Sequence, residues 1–104
     1  MSQPLSDRRL HSENLAYAGT GGVSQNNGRA GFVPAFRDDA TGRVEVARME
    51  NGEPATMHLL CALPDEWVCA RDADGRVTAL LASVVAGFVR EGRFYTREEA
   101  AALV

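Results

Sequence analysis

His58 and Cys61 stand as H-x-x-C, with Cys69 eight residues further on and His11 far upstream. Four such side chains are the donor set of a tetrahedral zinc site. Their spacing lacks the paired C-x-x-C knuckle that makes such a site specific. Both cysteines also sit in apolar runs, where a free Cys acts as a small buried hydrophobe. No metal is therefore expected. Between Tyr17 and Gly28 the chain is rich in Gly and Asn, which raises phosphate binding. A Walker loop needs a Lys, and the chain has none. A dinucleotide fingerprint needs G-x-G-x-x-G between a strand and a helix. Here Gly19 and Gly21 are followed by Ser24 where the third Gly belongs, so no cofactor is expected.

Nucleophilic catalysis needs Ser or Cys beside a His and an orienting acid. Cys61 or Ser24 with His58 or His11 meets this formally, but no nucleophile elbow or Cys-His signature surrounds them. The acidic pairs Asp38-Asp39, Asp65-Glu66 and Glu98-Glu99 fit turns and element starts, where negative groups cap backbone or complement a helix dipole. No catalytic residue is assigned. Two segments remain as candidate binding sites. One is the polar loop with Tyr17, Gly19, Gly21, Gly22, Asn26 and Asn27, to which His58 is added. The other is the tail, where Arg90, Arg93 and Arg97 alternate with Phe94 and Tyr95. Arg with aromatics grips phosphates and stacks on bases.

The 104 residues suit one domain, and with 45% hydrophobic residues the chain can build a core without a metal or a disulfide frame. Two cysteines are too few for a secreted disulfide scaffold, so a reducing, cytoplasmic setting is expected. The charged stretch Asp7, Arg8, Arg9 and Glu13 is unlike a signal peptide, and no apolar run is long enough to span a membrane. All eleven basic residues are Arg, which with sixteen Ala suggests a GC-rich bacterial or phage genome. The net charge of −3 disfavours broad nucleic-acid binding but allows a local Arg patch.

The elements that would hold these residues divide at about Gly31. Residues 1–30, poor in large apolar groups, read as an extended Gly/Asn/Ser-rich arm; residues 31–104 read as one α+β domain. Phe32-Val-Pro-Ala-Phe36 is predicted as a strand, with Pro34 favouring an edge. Arg43 to Met49 alternates, with Val44 and Val46 inward, and Asn51-Gly52 is a hairpin turn. Thr56 to Leu63 fits a short helix ended by Pro64 slightly better than a strand. Trp67 to Arg71 and Arg76 to Leu80 flank the turn Asp72-Ala-Asp-Gly75, a second hairpin. Leu80, Leu81, Val84, Val85, Phe88 and Val89 form a helical stripe, so a helix is predicted at about 81–89, stopped by Glu91-Gly92. Arg93-Phe94-Tyr95 is then a brief link. Thr96 and Glu99 form a capping box opening a helix from Arg97 to Val104.

Gly19-Thr-Gly-Gly-Val-Ser, Gly31-Phe-Val-Pro-Ala-Phe36 and the tail G-F-x-x-x-G-R-F-x-x-R-E-E-A from Gly87 to Ala100 resemble small uncharacterised proteins of bacterial and phage genomes. The resemblance implies a bacterial or mobile-element accessory protein and carries no activity, cofactor or site residue with it.

The predicted fold is thus α+β: a small antiparallel sheet from two hairpins, with one or two C-terminal helices packed on one face. The predicted function is a non-enzymatic module binding another protein through the arm or a sheet edge. Nucleic-acid binding through the tail, and a small ligand or enzyme site at the Gly-rich loop, are the alternatives.

Overall fold

The computed structural model describes residues 4–103. It is α+β, with two antiparallel sheets and a C-terminal helix packed against the larger one. The order is β1 (Leu5–Ser6), α1 (Asp7–Ala16), α2 (Ser24–Asn27), β2 (Val33–Asp38), β3 (Val44–Val46), β4 (Val68–Arg71), β5 (Val77–Leu80), β6 (Val84–Arg90), β7 (Arg93–Thr96) and α3 (Arg97–Leu103). Single 3-10 turns cover Gly28–Ala30 and Asp65–Trp67. One sheet has the order β1-β5-β4 and the other β3-β2-β6-β7. Their shared core brings Leu5 and Leu80 from the first against Phe36, Val84 and Ala86 from the second, with Leu60, Leu63 and Trp67 from the connecting segment. A smaller cluster of Phe32, Phe88 and Ala100, with Tyr95 at its side, seats α3. Phe36 and Phe88 are fully buried, which stabilises the fold by about 1.5–3 kcal/mol each.

The segment before Gly31 is not an extended arm. Ser6 caps α1 by accepting from the Arg9 amide at 3.1 Å, and Asp7 in the first turn complements the dipole. Leu5, Leu10 and Val23 are buried, and Leu5 pairs with Leu80 in the sheet. The helix escapes a periodicity reading because Leu10 is its one buried residue and Leu15 is 65% exposed. The first three residues of the predicted arm lie outside the described residues, as does Val104 at the predicted end of the last helix.

The stretch 81–89 holds no helix: after a turn at 81–83 it runs as the strand β6, which pairs with β2 on one side and β7 on the other. Val84, Ala86 and Phe88 face the core with period two, while Val85 and Val89 are half-buried on the opposite face. Apolar groups on both faces mimic a helical stripe, and β-branched Val decides for the strand. Glu91-Gly92 is the two-residue turn of a hairpin, both residues at positive φ (52° and 78°), and the predicted link Arg93–Tyr95 is its second strand. Gly87 allows this pairing, since a Cβ there would fall on the Tyr95 carbonyl and the Phe94 ring. Gly87→Ala is expected to cost about 2 kcal/mol by urea unfolding. Gly28→Ala, with nothing within 4 Å of its Cβ position, is expected to stay within about 0.5 kcal/mol of wild type.

Other expectations are corrected too. β2 is internal rather than an edge. Pro34 fits because its carbonyl accepts from Ala47 N at 2.9 Å, so its donorless nitrogen faces that same side, beyond the end of β3. The segment 56–63 holds no helix, and Ala62 turns it at φ 62°. Val44 and Leu81, expected inside, are exposed at the strand and turn surface. Cys61 is half-buried and Cys69 is exposed on β4, so neither is a core thiol. The Asn51-Gly52 signal produces a tight loop closed by the Arg48–Pro54 bridge, and the capping box forms as predicted, Thr96 N donating to Glu99 Oε1 at 3.0 Å and Glu99 N to Thr96 Oγ1 at 3.1 Å. No helix among the described residues is long and apolar enough to cross a membrane.

Candidate functional site

The capping box starts α3 at Arg97, and this aims the Arg97 side chain inward; it is only 4% exposed. Its guanidinium joins three segments. Nε donates to Glu13 Oε1 on α1 at 3.1 Å, Nη1 to the Gly22 carbonyl at 2.9 Å, and Nη2 to His58 Nδ1 at 3.3 Å. His58 Nε2 in turn lies 2.7 Å from the Gly87 carbonyl. A carbonyl only accepts and a guanidinium only donates, so the neutral ring with its proton on Nε2 satisfies both contacts. Phe36 and Phe88 meet the ring edge-on at 5.2 and 5.1 Å. Burial, and then the Arg97 charge, push the His58 pKa down to about 4. Burial also lowers the Arg97 pKa, against the opposing pull of Glu13.

The polar loop is fastened to this hub. Gly22 lies against the Tyr17 ring, with Tyr17 Cγ 2.8 Å and the Arg97 carbonyl 2.9 Å from where a Cβ would stand. Asn27 is fully buried and its Nδ2 donates to the Gly21 carbonyl at 2.7 Å; its Oδ1 has no partner among the described residues. Asn26 Nδ2 donates to the Thr20 carbonyl at 3.0 Å, and Gly19 turns the chain at φ 81°. Of the predicted loop residues, Gly22 and His58 thus bond to Arg97, Tyr17 packs beside Gly22, and Asn27 holds the neighbouring Gly21. Both His58 nitrogens are occupied, which leaves it no lone pair for a substrate proton. Cys61 Sγ donates to the Arg48 carbonyl at 3.6 Å. Among the described residues no three His, Cys, Asp or Glu side chains gather to hold a metal ion.

Arg97 does not join the tail patch in which its sequence neighbours stand. Arg90 lies over the Phe32 ring at 4.4 Å and the Tyr95 ring at 5.6 Å, and Arg93 lies over Tyr95 at 5.2 Å. Phe94 points to the other face of β7, where Arg37 covers it at 4.7 Å.

A cleft of about 1000 Å³ lies elsewhere. Its walls are the start of α1, the turn at 49–51, the segment 59–63 and the β4–β5 turn. Leu59, Leu60, Leu63 and Val77 supply an apolar floor. Carboxylates of Asp7, Glu50, Asp65 and Asp74 stand among the lining side chains with Arg71 and Arg76. Arg71 is taken up by Asp65 at 3.2 Å and the Gly75 carbonyl at 2.8 Å. That leaves Asp7, Glu50 and Asp74 against Arg76. Met49, 44% exposed, adds an adaptable apolar group to the rim. Sequence reasoning missed this site. Both of its turns were legible, as Asn51-Gly52 and Asp72-Ala-Asp-Gly75, but nothing in either shows that they face one another. Comparison with protein-family models, with curated proteins and with solved structures finds no match to this chain, so a functional reading stands on the cleft, the hub and the tail patch themselves.

Proposed function

We propose that the protein is a non-enzymatic interaction module, an accessory protein of a bacterium or its phage, that holds a segment of another protein in the 1000 Å³ cleft. The observation that carries this reading is the apolar floor beneath an unbalanced acidic rim. Such a surface fits an apolar side chain flanked by Arg or Lys: burial supplies affinity, and complementary charge sets orientation and encounter rate. In the polar loop and His58, the other candidates, the Asn26 and Asn27 amide nitrogens and both His58 ring nitrogens are spent on the fold. A reducing, cytoplasmic setting suits the exposed free thiol of Cys69.

A displayed library of random short peptides tests it. Selection on the full chain is expected to enrich an apolar residue between basic ones. The selected peptide is expected to lose about tenfold or more in affinity to a Glu50→Lys/Asp74→Lys variant, whose changes are on the surface and leave the melting temperature unchanged. Equal binding to both proteins, or enrichment of acidic peptides, contradicts it.

A further inference from the structure

Arg90 and Arg93 are directly opposite one another in the register of β6 and β7, closing the Glu91-Gly92 turn. Side chains of such a pair leave one face of the hairpin about 4.5–5.5 Å apart at Cβ, and like charges placed so repel. The chain does not separate them: both guanidiniums rest on the same Tyr95 ring. Among the described residues neither stands within ion-pair distance of a carboxylate. Glu99 feels the field of Arg93, but its carboxylate is bound at the Thr96 amide.

The platform beneath them is rigid. Phe32 meets Tyr95 edge-on at 5.3 Å and Phe88 at 6.2 Å, and the cluster is closed by buried Ala100 of α3. A guanidinium lying over a ring has one face covered, while its N–H donors, which lie in its plane, and its outer face stay open. The result is two positive groups held on one aromatic cluster at the hairpin end, Arg93 exposed and Arg90 half-buried. Two guanidiniums at a hairpin turn supply donors from one side only and do not enclose a small anion. They suit an extended polyanion, with successive phosphates on the two N–H forks and bases stacking on the outer guanidinium faces.

We infer that the β6–β7 hairpin end binds single-stranded nucleic acid, with Arg90 and Arg93 gripping adjacent phosphates and Tyr95 and Phe32 holding the two guanidiniums in place. Arg97, buried in the hub, takes no part. The site is separate from the cleft and does not depend on its occupant.

Fluorescence anisotropy of a labelled oligothymidylate, titrated with the full chain, tests this. Binding is expected at low salt, with log K falling against log salt at a slope of about −1.4, from about −0.7 for each of two phosphates. Arg90→Gln/Arg93→Gln is expected to weaken binding by about tenfold or more. The same variant is expected to melt no lower than wild type, because it also removes the like-charge pair; a purely structural role for the stacked arginines would lower its melting temperature instead. Inorganic polyphosphate is expected to bind more weakly than the oligonucleotide. No anisotropy change at low salt, unchanged binding by the double variant, or polyphosphate binding as tightly as the oligonucleotide would each overturn the inference.

Discussion

Arg97→Leu is expected to destabilise the protein by about 3 kcal/mol and to loosen the segment that precedes β2. Removing one partner of a buried charge network costs about 3–5 kcal/mol because the other groups stay buried and unpaired. Here the Gly22 carbonyl and His58 Nδ1 lose their donor, and the Glu13 carboxylate keeps only its ion pair with Arg9 at 3.4 Å. Glu13 keeps partial access to water, its side chain being 26% exposed, which sets the value at the low end of that range. In a domain of this size the melting temperature should fall by roughly 10–20 °C. Limited trypsinolysis adds a local readout, since Arg8, Arg9 and Arg29 flank the tethered loop and are exposed. Faster cleavage there than at Arg71 or Arg76 is the expected pattern. Arg97→Lys keeps the charge but not the planar fork, and should recover part of the loss. A melting temperature unchanged in Arg97→Leu would mean that the hub does not hold the segment.

Acid should act at the same place. In the unfolded chain His58 titrates near its ordinary value of 6.5, and in the fold near 4. Between those values the unfolded state binds more protons, so stability rises with pH. The contribution is fully present above about pH 6.5 and is lost as pH falls toward 4, amounting to about 3 kcal/mol at about 1.4 kcal/mol per unit. The geometry agrees with the sign: a proton on Nδ1 would face the Arg97 N–H donor. Urea unfolding across this window is the measurement. Carboxylates also titrate at its acid end, so the comparison is with His58→Gln, which should lack the step below pH 6.5 while keeping the steeper loss near pH 4. In Arg97→Leu the step should shrink but persist, because burial is the larger cause and the arginine charge the second.

Much of the fold was legible where local chemistry was decisive. Thr96 and Glu99 announce α3, and Asp72 to Gly75 announces the β4–β5 hairpin, because each signal is satisfied within a few residues. Periodicity misled where a strand is apolar on both faces, as β6 is, and where a helix buries a single side chain, as α1 does. Ser6-Asp7 was the available sign of α1, a cap without an apolar stripe behind it. The site was harder to read. Arg97 looks like its neighbours Arg90 and Arg93 in the sequence, and only the turn into α3 sends it into the hub while they lie over the Tyr95 ring. The cleft brings Asp7, Glu50 and Asp74, each more than twenty residues from the next, to one rim, a relation no local motif encodes.

Where a partner sits on the chain separates the cleft from the polar loop and the hairpin. Backbone amide shifts of the isotope-labelled full chain, recorded by NMR as the selected basic–apolar peptide is added, locate it most directly. The shifts are expected to gather on Glu50, Asn51, Cys61, Ala62, Asp74 and Gly75, which line the cleft, and to leave Gly19 to Asn27 in place. Shifts confined to Gly19 to Asn27, or to the hairpin from Arg90 to Tyr95, with the cleft unmoved, would contradict binding in the cleft.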